Sequence, residues 1–293
     1  MKYLYYPGCS LKSTGKPYEE SLKAVFSALE VPLEELKDWN CCGATAYMSV
    51  DEVKSFALSA RNLALAEKQG EPAENGMVQL IAPCSACYAL SLKTQHYLAE
   101  NEDIRRKVER GLSEASLTYQ GKVQVRHPLD VMVNDIGLER IKGAVKSPLN
   151  TKVACYYGCQ IVRPYATFDN QASPTALDNL MEAIGAAPLD WAMKTRCCGG
   201  TLSGTIREVG FRLNYLILKE AQRKGADVLA TTCPLCQFDL ECFQPNVNAA
   251  AHADIHMPVA YFTQMVGLSF GIPEKKLGLQ RLFVPYKKAS IGG

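Results

Sequence analysis

The residues with most chemistry to offer are the twelve cysteines, and they fall into two groups. The first is Cys9, Cys41, Cys42, Cys84 and Cys87; the second is Cys155, Cys159, Cys197, Cys198, Cys233, Cys236 and Cys242. Each group contains a leading cysteine, an adjacent pair followed by glycine, and a C-x-x-C. A C-x-x-C puts two thiolates within reach of one metal centre. Adjacent cysteines suit a cluster of several iron atoms better than one tetrahedral zinc. A structural zinc takes four ligands and an ordinary cubane takes four cysteines, whereas each group here offers five that align. The pattern therefore points to two iron–sulfur clusters, one in each half. Helix N-termini just past the ligands would stabilise a negatively charged cluster, and Gly43, Gly199 and Gly200 would let the backbone come close. The competing readings are a thioredoxin-like dithiol, which leaves three cysteines per group without a task, and a pair of zinc sites. Cys155 and Cys242 read as inert buried thiols.

The words around the cysteines repeat as well. Tyr5-Tyr6-Pro7-Gly8-Cys9 answers Tyr156-Tyr157-Gly158-Cys159, which on this reading lacks the proline. Cys41-Cys42-Gly43 answers Cys197-Cys198-Gly199, and Ala82-Pro83-Cys84-Ser85-Ala86-Cys87 answers Thr231-Thr232-Cys233-Pro234-Leu235-Cys236. Between leading cysteine and pair lie 31 residues in the first half and 37 in the second; between pair and C-x-x-C lie 41 and 34. An internal duplication accounts for all of this at once.

The elements that must position these residues alternate in type. Lys2–Tyr6, Lys152–Tyr157, Met77–Ala82 and Asp227–Thr231 are short apolar runs ending at cysteine turns, which predicts strands. Helical spacing covers Tyr18–Leu29, Pro174–Ile184, Asp51–Gln69, Ile206–Lys224, Ser85–Leu98 and Leu235–Phe243, with Asp51 and Thr205 as candidate caps. The expected fold is α/β: two pseudo-symmetric repeats, each a small parallel sheet with flanking helices and a cluster at the sheet edge. Residues 1–147 form the first repeat, with extra material from Glu102 to about Val145 that includes a charged helix over Glu102–Ser116. Residues 148–293 form the second, the boundary lying in Lys146–Thr151. The tail, Gly278–Gly293, reads as a surface extension or docking strap.

Bulk properties narrow the setting. Lys+Arg number 32 against Asp+Glu 30, a net charge of +2, so no basic excess points to nucleic acid. Met1–Cys9 lacks the apolar core of a secretory signal. No run reaches the roughly 18 apolar residues of a membrane span. A cytoplasmic protein is expected, where disulfides do not persist. No G-x-G-x-x-G opens a helix, so neither NAD nor flavin is expected on this chain. His127, after the run Val123–Val125, reads first as a structural or capping residue, and it is also the candidate proton donor near a cluster; His96, His252 and His256 read as surface or packing residues. Arg163, Lys194 and Arg196 lie near ligand cysteines and could attract an anion.

These residues carry a resemblance. The doubled arrangement is similar to the cysteine-rich CCG domain, and its two-copy form at this length resembles the B-type subunit of heterodisulfide reductase. The stretch Pro258-Val259-Ala260-Tyr261-Phe262-Thr263-Gln264, then Gly267-Leu268, also looks like that subunit's C-terminus. The resemblance implies a noncubane 4Fe–4S cluster held by Cys9, Cys41, Cys42, Cys84 and Cys87, and another held by Cys159, Cys197, Cys198, Cys233 and Cys236. It implies reduction of a small-molecule disulfide, such as that joining coenzyme M to coenzyme B in methanogenesis, by two one-electron transfers, with iron stabilising the nascent thiolate. Its implied partners are a ferredoxin-like iron–sulfur subunit and a flavin-containing subunit. The gap of 41 is longer than the family pattern, as a loop insertion around Gly70–Gly76 would make it, and the gap of 34 is slightly shorter. CCG pairs also occur in succinate-, fumarate-, lactate- or glycolate-type systems, where the chain would pass electrons to or from a quinone or flavoprotein. A zinc scaffold without enzymatic activity is the remaining alternative.

Overall fold

A computed structural model describes residues 2–286. The first half runs β1 (Tyr3–Tyr5), α1 (Gly8–Leu11), α2 (Lys16–Ala28), β2 (Leu33–Glu35), α3 (Ala46–Val50), α4 (Glu52–Gln69), β3 (Val78–Ile81), α5 (Ser85–Glu100), α6 (Glu102–Glu114) and β4 (Val123–Arg126). A passage of α7 (Pro128–Asp130), a π-helical turn over Val131–Gly137 and α8 (Leu138–Gly143) leads to the second half. There follow β5 (Lys152–Tyr156), α9 (Ala176–Ala183), β6 (Ala187–Pro188), α10 (Leu202–Thr205), α11 (Arg207–Arg223), β7 (Val228–Thr231), α12 (Pro234–Cys242), α13 (Gln244–Ala251), β8 (Val259–Tyr261) and α14 (Phe262–Ser269).

The strands form two four-stranded sheets, β2-β1-β3-β4 and β6-β5-β7-β8, with all neighbours parallel. The same order and hand of pairing in both is the fold-level counterpart of the duplicated cysteines. Apart from the exposed Lys152 and the polar but buried Gln79, β1, β3, β5 and β7 are apolar or aromatic and buried on both faces, as parallel strands covered by helices must be.

Strand register corrects one alignment. Leu4 pairs with Leu80 and Ala154 with Leu229. Matching Leu80 to Leu229 places Cys84 on Cys233 and Cys87 on Cys236, and it also places Cys9 on Cys159 with no deletion. Tyr6 therefore answers Tyr156, Pro7 answers Tyr157, and Cys155 takes the place of the strand residue Tyr5. The doubled tyrosine is offset by one position between the halves, and no proline is missing.

Two further expectations change. The segment after Glu102 is not extra: α6, β4 and the α7–α8 passage take in the first half the places that α13, β8 and α14 take in the second, with α6 packed on α4 as α13 is on α11. Asp51 does cap α4, accepting from Lys54 N at 3.1 Å. Thr205 does not cap α11, because its hydroxyl donates back to Thr201 O at 3.1 Å and Ile206 occupies the cap position. The segment between α4 and β3 is longer than that between α11 and β7, and Pro72 bridges Val78 within it; this accounts for the long first gap.

The halves share one apolar core that includes Tyr5, Tyr18 and Leu80 from the first and Val153, Leu177 and Phe262 from the second. α2 packs against α14 across this seam, where Ser21 Oγ and Thr263 Oγ1 lie 2.6 Å apart in the dry interior. The described part of the tail acts as a strap: Arg281 reaches Glu20 at 3.1 Å, Val284 N donates to Glu241 Oε1 at 3.3 Å, and the Tyr286 and Thr151 hydroxyls meet at 2.9 Å. The remainder of the expected strap, 287–293, lies outside the described residues.

Candidate metal centres

All ten aligned cysteines sit beyond the C-terminal ends of strands or on the loops beside them, the edge where parallel sheets gather ligands. In the first half Cys9 and Cys41 Sγ atoms lie 3.6 Å apart, and Cys42 and Cys87 3.3 Å apart. In the second half Cys198 and Cys236 lie at 3.6 Å. Cys159 and Cys197 bear on each other's ionisation, as do Cys84 and Cys233. This last pairing joins the two groups: Cys84 and Cys233, first cysteines of the two C-x-x-C turns, follow directly on Pro83 and Thr232, whose carbonyls both meet His127 Nε2.

Each group runs from surface to interior. Cys9, Cys41 and Cys197 are exposed and Cys159 half-buried, while Cys42, Cys84, Cys87, Cys198, Cys233 and Cys236 are buried. Crowded thiols cannot all ionise. The neighbouring thiols of Cys42 and Cys9 hold Cys41 down to about 2, and that of Cys159, aided by Gly199 N and Arg163, holds Cys197 down to about 6. Those of Cys236 and Cys84 lower Cys233, while the partner thiols Cys9, Cys42, Cys84, Cys87, Cys159 and Cys236 are pushed up.

Local structure explains why these loops fold as they do. Gly8 and Gly158 occupy the left-handed region at φ +66° and +71°. A Cβ on Gly8 would stand 2.9 Å from Cys87 Sγ, and one on Gly158 3.1 Å from Cys236 Sγ. The glycine of the Tyr-x-Gly-Cys word is thus required both by backbone conformation and by the thiol it faces. The tyrosine of the same word pins the cysteine pair: Tyr6 donates to Asn40 O at 2.8 Å and Tyr156 to Arg196 O at 2.6 Å, the residue before the pair in each half. Cys84 and Cys233 are the N-caps of α5 and α12.

The donor set fits iron–sulfur clusters. It is all thiol, it has five members per half, and glycine is kept where a Cβ would crowd the sulfur. Among the described residues no three His, Cys, Asp or Glu side chains gather as a single metal ion would need.

The two extra cysteines stay apart. Cys155 lies on β5 in the core with its thiol pushed up by burial, and Cys242 is half-buried at the end of α12. Lys194 is engaged with Asp178 at 2.7 Å. Arg163 bonds Thr195 O and bears on Cys197. Arg196 is exposed and contributes its carbonyl to Tyr156. His96 stacks on Tyr165 at 4.2 Å, His252 ends α13, and His256 meets Asp254 at 2.8 Å.

His127 takes the capping role at the start of α7. It is fully buried. Its Nδ1 accepts from Leu129 N at 3.1 Å, so the proton sits on Nε2, which points at Pro83 O (3.0 Å) and Thr232 O (3.3 Å). Those carbonyls immediately precede Cys84 and Cys233. Burial pulls its pKa down to about 4, so the ring is neutral at ordinary pH. Neither nitrogen is left for a substrate, and the expectation of a proton donor gives way to that of a tie between the halves. The tie was invisible in the sequence because it joins carbonyls, whose partners no residue type reveals. Asp239, buried on α12 beside Cys198 and Ser203, was also missed; burial raises its pKa to about 6.

Comparison with known proteins agrees with this architecture. The cysteine-rich domain model CCG matches residues 3–90 and 153–241. The chain is 30% identical over 281 residues to the 8-methylmenaquinol:fumarate reductase membrane anchor subunit of Wolinella succinogenes, covering 95% of each. It is 31% identical over 288 residues to a protein of Archaeoglobus profundus described as like the B-type subunit of heterodisulfide reductase, covering 95% of this chain and 94% of that one. It is 28% identical to the B-type subunit of the ferredoxin/F420H2-dependent CoB-CoM heterodisulfide reductase of Methanosarcina acetivorans, covering 96% and 93%. A crystal structure of a hypothetical protein from Helicobacter pylori superposes with TM-score 0.76 at 15% identity, over 98% of this chain and 52% of that chain, which supports the fold alone. Among the described residues no helix is long and apolar enough to cross a membrane. With the domain present twice and at least 95% of the chain aligned with these relatives, the chain belongs to the two-copy CCG cysteine-rich family, together with the B-type subunits of heterodisulfide reductases.

Proposed function

We propose that this chain is an iron–sulfur electron-transfer subunit of a multi-subunit oxidoreductase and that it reduces a disulfide. Cys9, Cys41, Cys42, Cys84 and Cys87 hold one 4Fe–4S cluster, and Cys159, Cys197, Cys198, Cys233 and Cys236 hold the other, both of the noncubane type that five ligands favour. When bound, the clusters supply one electron each, the two that cleavage of R–S–S–R′ consumes together with two protons. The observation that supports this reading is the nearness of the two C-x-x-C turns at the seam, where His127 Nε2 meets both Pro83 O and Thr232 O; clusters held there would stand side by side. His127 serves as a positioning residue that ties both C-x-x-C turns. Partners in this reading are a ferredoxin-like subunit that feeds electrons in and, further upstream, a flavin-containing subunit, with NAD and flavin absent from this chain.

Anaerobic purification followed by iron and acid-labile sulfide analysis is the test. About eight of each per chain fit two 4Fe–4S clusters; zinc with little sulfide sinks the reading. Turnover of small disulfides, including the coenzyme M–coenzyme B heterodisulfide, with a chemical reductant then tests the reaction.

A second reading is electron transfer to or from a quinone or flavoprotein in a fumarate-reductase-type complex. The Wolinella relative favours it, as do exposed apolar side chains that follow the cysteine pair in both halves, Val50 at 86% and Ile206 at 53% exposure. Binding to lipid vesicles and electron exchange with a quinol, without disulfide turnover, would select this reading.

A further inference from the structure

The seam between the two cysteine groups contains a hydroxyl with nothing to bond. The start of α2 lies against the second C-x-x-C turn, so closely that a Cβ on Gly15 would stand 3.0 Å from the Pro234 side chain. Tyr18, one turn further, is fully buried. Its ring stacks on Tyr261 with centroids 4.5 Å apart and meets Phe262 edge-on at 6.0 Å. Among the described residues its hydroxyl has no hydrogen-bond partner, thiols included.

A dry, unpaired hydroxyl is costly, and phenylalanine would fill the same place without that cost. Neighbouring tyrosines manage their hydroxyls differently. Tyr261 donates to Gln237 Oε1 at 3.3 Å. Tyr5, also without an ordinary partner, has the Glu19 carboxylate beside it. The ionisable groups that bear most on Tyr18 are Cys233, Tyr261 and Cys84, in that order. Burial keeps the phenol protonated far above the usual tyrosine range, so it can act only as donor or as acceptor of a proton already placed. What the Tyr18 hydroxyl lacks, among the described residues, is an acceptor within reach.

Ligated sulfur is such an acceptor. We propose that Tyr18 donates a hydrogen bond to sulfur of the clusters held by Cys84 and Cys233, and so sets their reduction potential from the seam. The inference rests on the reading of those cysteines as cluster ligands. A donor aimed at cluster sulfur stabilises the reduced, more negative state and moves the potential upward. The hydroxyl that is unpaired without the clusters is satisfied with them, so its cost falls on the metal-free chain alone.

The experiment is a pair of replacements in the full chain, purified anaerobically and titrated electrochemically under electron paramagnetic resonance. Tyr18→Phe should keep the iron and sulfide content of the wild type, shift the cluster potential to more negative values, and leave the metal-free protein at least as resistant to denaturant. Fluorinated tyrosine at position 18, a stronger donor of nearly the same shape, should shift the potential the other way; it also covers the case in which Tyr18→Phe loads poorly. Loaded protein whose potential moves with neither replacement overturns the role of Tyr18 and leaves the cluster reading standing. A wild-type chain without iron and sulfide overturns both.

Discussion

In the first half the cysteine pair is held from α4 by an amide ladder. Asn62 accepts from Asn40 N at 2.9 Å and donates to Asn40 O at 2.9 Å, while Asn40 Nδ2 donates to Cys41 O at 2.8 Å. In the second half the corresponding task falls to Asn214 on α11. With its amide oriented to satisfy both ends, it donates to Cys198 O at 3.0 Å and to Asp239 Oδ2 at 3.2 Å, and accepts from Ser203 Oγ at 3.0 Å. The helices that follow the C-x-x-C turns differ in the same sense. Where α5 places Leu90 and Leu92, α12 places Asp239 and Glu241, both buried. Duplication has kept the thiols, the glycines and the sheet order, and has let the support diverge. The first site rests on amides and apolar packing, the second on buried carboxylates.

The strongest way to break this comparison is to separate the halves. Expressed apart, 1–147 loses the α14 cover over α2, and 148–293 loses its partner face around Phe262 and Thr263. Tyr18, Leu22 and Val25 are all buried, and exposing such side chains costs roughly 1.5–3 kcal/mol each, a large part of ordinary domain stability. Neither piece should show cooperative unfolding in denaturant, while the two mixed should recover it at least in part; a cooperative isolated half would show that the seam is not a shared core.

Within the intact chain, the glycines test whether the two sites load independently. Gly8→Ala drives a methyl to 2.9 Å from Cys87 Sγ at a φ that alanine resists, and Gly158→Ala does the same at 3.1 Å from Cys236 Sγ. Each variant should lose about half of the iron and sulfide and keep the other site. Loss of both clusters from one substitution would mean that the halves load as a unit through the Cys84–Cys233 pairing.

How far this was legible beforehand differs by element. The strands that precede the cysteines are continuous apolar runs bounded by turns, so they could be read directly. β2, β6 and β8 could not: Leu33–Glu35 and Ala187–Pro188 are edge strands of three and two residues with little apolar pattern, and Val259–Tyr261 carried only a resemblance. The ten cysteines were legible because duplication wrote them twice. The seam was not, since the Cys84–Cys233 pairing and the His127 tie arise from how two sheets pack, which happens once and leaves no repeat.

The buried carboxylate and the buried histidine should pull stability in opposite directions with pH. Burial raises Glu241 from 4.5 to about 7, so the folded state holds a proton that the unfolded chain has released. Its contribution is present below about pH 4.5 and is lost as pH rises toward 7, by up to about 3 kcal/mol. Burial lowers His127 from 6.5 to about 4, so there the unfolded chain binds the extra proton and stability is lost as pH falls through the same range. Glu241→Gln should therefore leave a protein whose denaturation midpoint rises with pH between about 4 and 7 more steeply than that of the wild type. Parallel curves for the two proteins would show that Glu241 is not held neutral. Leu92, in the matching place of the first half, has nothing to titrate, and this asymmetry is confined to the second site.

The smallest effect separates the two tyrosines that pin the cysteine pairs. Each donates to the carbonyl before its pair, but those carbonyls are not equally dependent. Asn40 O also receives Asn62 Nδ2, so Tyr6→Phe leaves it one donor. Arg196 O is served by Tyr156 as its side-chain donor among the described residues, so Tyr156→Phe leaves it to water or to nothing. Denaturant titration of the metal-free chain should show about 0.5 kcal/mol lost for Tyr6→Phe and about 1.5 kcal/mol for Tyr156→Phe. Equal losses would mean that the amide ladder of the first half adds nothing to the hold on its cysteine pair. A larger loss at Tyr6 would reverse the comparison and make the first loop the more weakly supported of the two.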